Sequence, residues 1–273
     1  MTTTSKTETV HRPENFRIAR VVRAVNVTPL VRRITMEVDD LSRFDCPLRS
    51  LGPHVHALIP RDDIERQEWP VADERGHAVY PPPERRPAIR TYSVRRFHYG
   101  DDSMDIDFVL HGDDGIASRW AARARPGDEV GLWRPHARVL DGEPRRYILA
   151  GDITALPAIA FILDNLPQDV AGEVLVHVPG VSERQPLRLP AGMRLTWLHG
   201  EAGGGPDDPL SAAVRALGRE VVAASFVWVG AEASVARRIR GFARRECGVP
   251  AAETYILNYW KRGMAEGTYD HGE

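Results

Sequence analysis

Cysteine is almost missing from this chain of 273 residues: Cys46 and Cys247 are the only two. Two thiols cannot ligate an iron–sulfur cluster or complete a four-cysteine zinc site. They lie far apart and suggest no disulfide framework, which points to a reducing compartment. Net charge is equally scarce. The 36 basic and 38 acidic side chains leave a formal charge of -2, so bulk attraction to nucleic acid is excluded as a basis of function. Lysine is rarer still, with Lys6 and Lys261 the only two, so the basic set is almost entirely arginine. No run approaches the roughly 18 apolar residues that a membrane span needs. The N-terminus lacks the apolar core of a signal peptide, so residues 1–14 are expected to be a flexible tail on a cytoplasmic monomer. What is present, 42% hydrophobic and 27% charged residues, is the composition of a globular protein with about two domains.

The first half reads as β-structure. Phe16 to Val27, Val31 to Val38, His54 to Ile59, Arg90 to Arg95, Met104 to Leu110 and Glu129 to Trp133 are short apolar or alternating runs between polar turns. Such spacing predicts a small antiparallel barrel over residues 15–142. Arg61 to Pro87 interrupts it without a period, and is either a lid or a tolerated insertion. From 143 to 273 strands alternate with helices: Tyr147–Ala150, Thr154–Leu166, Glu173–Val178, Arg194–Leu198, Leu210–Leu217, Ser225–Val229, Glu232–Glu246 and Thr254–Tyr259. That order predicts a doubly wound parallel sheet whose ligand crevice lies at the carboxyl ends of its strands.

Those ends carry Gly151, Asp152, Gly230 and Glu232, but no G-x-G-x-x-G fingerprint and no P-loop. Gly203-Gly204-Gly205 follows a strand but is flanked by acidic residues and Pro206, and reads as a flexible loop more readily than as a phosphate cradle. Thr154 is expected to cap the helix after Gly151, either as a plain cap or as part of a nucleotide seat. In the barrel half, Arg90-Thr91-Tyr92-Ser93-Val94-Arg95 alternates so that Arg90, Tyr92 and Val94 share one face and Thr91, Ser93 and Arg95 the other. An arginine suits phosphate and a tyrosine suits a flat ring, yet alone the segment also reads as a solvated strand face. His111-Gly112 through Ala117-Ser118 reads as a strand end, a glycine turn and a helix start, an anion site suited to a pyrophosphate. A ring site and a diphosphate site in one domain fit a flavin dinucleotide.

With these segments, the chain resembles the siderophore-interacting protein family, flavin-dependent ferric-siderophore reductases of the ferredoxin-reductase fold group. The match rests on Arg90–Arg95, on Asp107 through Trp120 to Asp128, on Ala150-Gly151-Asp152-Ile153-Thr154-Ala155-Leu156-Pro157-Ala158 and on Asn258-Tyr259-Trp260-Lys261-Arg262-Gly263. It implies a six-stranded antiparallel FAD-binding barrel followed by a reductase-type parallel α/β domain. Arg90, Thr91, Tyr92, Ser93, Val94, Arg95, His111, Gly112, Ala117, Ser118, Thr154 and Trp260 are then expected at the FAD. Gly151, Asp152, Thr154, Gly230 and Glu232 are expected to face the electron donor, which is NADH, NADPH or reduced ferredoxin. The chain departs from the family pattern at Ile116, at Ile153 and at Trp133-Arg134-Pro135-His136-Ala137.

Reduction of a chelated ferric ion needs no nucleophile and no protein metal ligand; a flavin supplies the electrons and the protein supplies orientation. Ferric ion favours hard oxygen donors far more than ferrous ion does, so reduction releases it. Arg134, His136, Lys261 and Arg262 are expected to form a basic rim for an anionic ferric siderophore, although such a cluster also reads as a solvated face. Two other functions fit the same residues: a flavoprotein reductase serving a protein partner, and a siderophore binder with a vestigial flavin site.

Overall fold

A computed structural model describes residues 11–112, 115–140, 142–200 and 208–264. The first half contains β1 (Phe16–Thr28), β2 (Val31–Glu37), the single turn α1 (Leu41–Phe44), β3 (His54–Ile59), β4 (Val71–Ala72), β5 (Ala78–Val79), β6 (Ala88–His98), β7 (Ser103–Val109), α2 (Ile116–Arg123) and β8 (Glu129–Trp133). Six strands close into an antiparallel barrel in the order β1-β2-β7-β6-β3-β8, with β8 pairing both β1 and β3. Closure leaves no open sheet edge. Alternation along β7 shows how the sequence sets the barrel. Met104, Ile106 and Phe108 fill the interior, while Asp105 and Asp107 stand on the other face. Those two carboxylates are buried but satisfied: Arg33 grips Asp107 at 2.7 and 2.8 Å, and Thr35 and His98 reach Asp105 at 2.7 and 2.9 Å.

The second half contains β9 (Arg146–Asp152), α3 (Leu156–Asn165), β10 (Ala171–Val178), β11 (Gly192–His199), α4 (Pro209–Ala216), α5 (Arg219–Ala223), β12 (Phe226–Glu232), α6 (Ala233–Gly241) and β13 (Thr254–Trp260). The five strands form a parallel sheet in the order β11-β10-β9-β12-β13. The order reverses between β9 and β12. Leu149, Val174 and Trp228 pack under α3 on one face; Ile148, Val227 and Val229 pack under α4 and α6 on the other.

Local chemistry corrects two helix starts. Helix α3 begins at Leu156 with Ala155 at its N-cap, and Thr154 does not cap it; the Thr154 hydroxyl donates back to Asp152. Glu232 is the last residue of β12 and caps α6 from outside. The helix also ends earlier than its pattern suggests, passing into a π-helical turn at Phe242–Glu246. The hairpin of β4 and β5 and the short helices α1 and α5 are absent from the sequence reading, because they are too short to show a period.

The two halves are tied together at several points. Glu183 accepts from the Thr28 hydroxyl at 2.6 Å and the Leu30 amide at 3.1 Å. Arg95 and Arg96 both reach Asp164 of α3, at 2.8 and 2.9 Å. The Phe97 ring meets Phe161 edge-on with centroids 6.0 Å apart. The excursion over 61–87 is fixed as well: Arg12 donates to the carbonyls of Trp69 and Pro70, and Arg61 donates to that of Pro83.

Candidate cofactor site between barrel and sheet

Strand β6 carries the central strip. Val94 lies in the barrel core, and Tyr92 packs against that core with its ring on Phe108 (centroids 4.3 Å apart). On the opposite face, Thr91 Oγ1 sits 3.1 Å from His56 Nδ1, and Ser93 Oγ sits 3.2 Å from the Tyr259 hydroxyl. The strict alternation stops there. A bulge between Val94 and Arg96 buries Arg95 and turns its guanidinium to Asp164, so this side chain is committed to joining the domains. Burial alone would raise the Asp164 carboxyl, but hydrogen bonds from Arg95 and Arg96 outweigh it and hold the group below its ordinary value.

Arg90 opens onto a groove of about 610 Å³ that Arg61, Arg86, Arg119, Pro83 and Ile116 also line. Asp63 pairs with Arg61 and Asp62 with Arg119, whereas Arg86 and Arg90 have no ion pair among the described residues. The groove therefore carries uncompensated positive charge. It borders the N-terminus of α2, where Gly115 supplies no capping side chain. Ser118 shapes the approach: its hydroxyl accepts from the His111 amide at 3.1 Å and donates to the Gly112 carbonyl at 2.9 Å. Ser118 and Ala117 are buried, while His111 and Gly112 are exposed at the turn. Arginines around a helix N-terminus form an anion seat, and the apolar groove wall suits a flat base. The donor set fits the diphosphate of FAD. Arg61 and Arg86 carry no site role in the sequence, where Arg61 only bounds the excursion and the arginine density after Pro81-Pro82-Pro83 is the signal for Arg86.

At the sheet's carboxyl edge, Asp152 is buried at 4% exposure, and both oxygens are occupied. Oδ1 accepts from the Thr154 amide at 2.9 Å and from the Thr154 hydroxyl; Oδ2 accepts from Trp260 Nε1 at 2.8 Å and the Glu232 amide at 3.2 Å. Burial pushes this carboxyl above its ordinary value despite those four donors. Glu232 accepts from the Ser234 amide at 2.7 Å, the Ser234 hydroxyl and the Val235 amide at 3.4 Å. Burial opposes ionisation of Glu232 too, yet these bonds and one from the Arg262 amide lower its pKa. Gly151 and Gly230 face each other in register across the switch point. Gly230 allows a close approach there, since a Cβ would stand 2.7 Å from the Tyr259 ring. Tyr259 also meets Trp228 edge-on at 6.1 Å.

Arg134, His136, Lys261 and Arg262 are all exposed. The backbone of His136 bridges to His54 through bonds of 2.8 and 2.9 Å, and the rings of His54, His56 and His136 lie 6.1 to 6.2 Å apart. Lys261 and Arg262 follow β13 directly after Trp260. His54 and His56 enter the sequence only as part of the strand His54 to Ile59 and carry no site role there, since alternate histidines on a strand have no distinctive pattern. Gly203-Gly204-Gly205 lies outside the described residues.

A closed six-stranded barrel followed by a doubly wound parallel sheet is the ferredoxin-reductase-type fold. A ferredoxin reductase of carbazole 1,9a-dioxygenase shares it with a TM-score of 0.64 at 12% identity, over 90% of this chain and 69% of that one. The chain belongs to the siderophore-interacting protein family: residues 20–139 match the siderophore-interacting FAD-binding domain and residues 144–263 the siderophore-interacting protein model. It is 29% identical to the ferric vibriobactin reductase ViuB of Vibrio cholerae over 258 residues, covering 93% of this chain and 92% of that protein. The siderophore-interacting protein SipS of Aeromonas hydrophila is 31% identical with a TM-score of 0.73, over 92% of this chain and 94% of that one. Among the described residues, no helix is long and apolar enough to cross a membrane.

Proposed function

We propose that this chain is an FAD-dependent reductase of ferric siderophores that releases ferrous ion in the cytoplasm, with electrons from NAD(P)H or reduced ferredoxin. The observation that carries this reading is the continuity of the anion seat with the β6 strip. Arg90 lines the arginine groove, and three residues along the same strand Ser93 meets Tyr259 of the second domain. A ligand with a diphosphate at one end and a flat ring at the other matches that layout, and likeness to a ferric vibriobactin reductase supports the substrate class. Arg86 and Arg90 would bind the diphosphate together with the amides of the first α2 turn. Thr91, Tyr92 and Ser93 would orient the ring, with Val94 fixing the strand from inside the barrel. When bound, FAD supplies two electrons that can leave one at a time.

The protein moves no proton onto iron and donates no ligand to it; its task is to hold the chelate at the ring edge. Arg134, Lys261 and Arg262, with the imidazole of His136, present donors to an anionic chelate at the mouth. His54 and His56 extend this donor surface along β3. Stopped-flow mixing of photoreduced holoprotein with a ferric siderophore tests the reading. Flavin reoxidation matched by ferrous release is expected, and reoxidation only by an oxidised protein partner would overturn it.

A further inference from the structure

The junction of the two halves holds a second groove, of about 710 Å³, toward the end of β6 opposite Arg90. The barrel side supplies Leu48, Phe97 and Tyr99. The other side supplies Phe161 from α3 and Leu187 from the segment between β10 and β11. Its floor is aromatic: the edge-on pair of Phe97 and Phe161 continues into Tyr99, whose ring lies 6.1 Å from that of Phe97 at 30°. Leu48 and Tyr99 are each 46% exposed, so two large apolar side chains of the groove keep nearly half their surface in water. A concave, partly apolar surface of this volume has the dimensions of a small-molecule site.

Charge decides what fits there. Arg95, Arg96 and Arg188 line the groove together with one carboxylate, that of Asp164. Arg95 and Arg96 both donate to Asp164 Oδ2, at 2.8 and 2.9 Å, so a single acceptor oxygen serves two guanidiniums. Arg188 is exposed and has no ion pair among the described residues. Burial and the neighbouring Asp45 carboxylate hold the Tyr99 phenol above its ordinary value, so its ring stays neutral. Even with Asp45 counted, three cations stand against two carboxylates. We propose that this groove binds a planar aromatic carboxylate, its ring on the Phe97 and Tyr99 floor and its carboxylate on the Arg188 guanidinium. An aromatic ring gains from edge and offset contacts with such a floor, and a guanidinium takes a carboxylate through two parallel hydrogen bonds. A neutral ring would leave Arg188 without an acceptor, and a small inorganic anion would leave the floor wet. Because the lining comes from both halves of the chain, the occupant also braces their junction.

The test is calorimetric titration of the FAD-loaded protein with 2-naphthoate, and with 2-naphthamide as its neutral counterpart of the same shape. One saturable site is expected for naphthoate, with the amide binding about tenfold more weakly or worse, a difference of roughly 1.4 kcal/mol. Equal affinities, or no saturable binding of naphthoate up to about 5 mM, would overturn the proposal. Arg188→Glu alters an exposed side chain and should weaken naphthoate about tenfold or more while flavin content stays at the wild-type level. Unchanged affinity in that variant would remove the carboxylate from Arg188. Tyr99→Ala should also weaken binding, and wild-type affinity there would remove the ring from the floor. Repeating the titration without FAD separates the two grooves. The same affinity is expected with and without the flavin, whereas naphthoate that binds only in its absence would lie in the flavin site and contradict the proposal. No step here involves iron or an electron donor, so failure of the proposed reductase reaction would leave this groove untouched.

Discussion

The hydroxyls of Ser93 and Tyr259 stand 3.2 Å apart across the junction of barrel and sheet. Burial pushes the Tyr259 phenol well above the ordinary tyrosine range, so it stays protonated throughout the neutral and mildly alkaline range. Tyr259→Phe removes one partner of this bond and is expected to lower stability by about 1 kcal/mol in urea unfolding. The alkaline tyrosine titration near pH ~10 should be unchanged by the substitution, because Tyr259 does not ionise there. A smaller titration amplitude in the variant would show that the phenol is not held in this way.

Arg95, Arg96 and Asp164 form a partly buried charged link between the halves. Asp164→Ala strands the nearly buried Arg95 guanidinium and is expected to cost about 3 kcal/mol in denaturant unfolding. Because the folded carboxyl is depressed, its contribution is complete above the unfolded value near pH ~4 and is lost as pH falls through the folded value. The wild type should therefore lose more stability than the variant on acidification below that point. Parallel acid limbs would remove the ion pair from the account.

Asp152 gathers three segments, and Trp260 is the one with an optical signal. Asp152→Ala should destabilise the protein by about 2 kcal/mol, since several donors lose a charged acceptor. The emission attributable to Trp260, taken as the difference from a Trp260→Phe background, should move to longer wavelength as the indole is released. No movement would mean that the carboxylate does not position the ring.

The thiols differ in environment. Burial pushes Cys46 up to about 11, with the Ser50 hydroxyl opposing weakly at 3.8 Å, while Cys247 is only partly buried. Iodoacetamide at mildly alkaline pH should label Cys247 in the native protein and leave Cys46 untouched until unfolding. Mass mapping of the adducts checks this directly, and modification of native Cys46 would contradict its placement.

Arg90 is the cation that links groove and strip. Arg90→Ala should weaken FAD about 10- to 100-fold, the loss expected for one charge-assisted phosphate contact of about 1.5–3 kcal/mol. Flavin retained per protein after gel filtration measures it, and wild-type retention would place the diphosphate elsewhere.

How much was legible beforehand follows from the range of the signals. Period-two runs such as Met104, Ile106 and Phe108 announce a barrel strand because both neighbours and faces are encoded locally. The strip Arg90–Ser93 was readable for the same reason. Arg95 was not, because the bulge beside it is set by the register of β6 on β7. Asp152 and Glu232 stood out as acids at strand ends, but their partners did not: Trp260 is 108 residues from Asp152. The direction of the Thr154 hydroxyl was likewise undecidable, since threonine serves a helix cap and an acceptor two residues back equally well. Arg61 and Arg86 belong to a segment without a period, and only the folded excursion brings them beside Arg90.

The most direct test of the central claim is an anaerobic single turnover of the FAD-loaded, fully reduced protein with excess ferric siderophore and a ferrous trap. Two electrons per flavin predict about two trapped ferrous ions for each flavin reoxidised. Flavin that stays reduced in the presence of the chelate, or reoxidises without trapped ferrous iron, would contradict it.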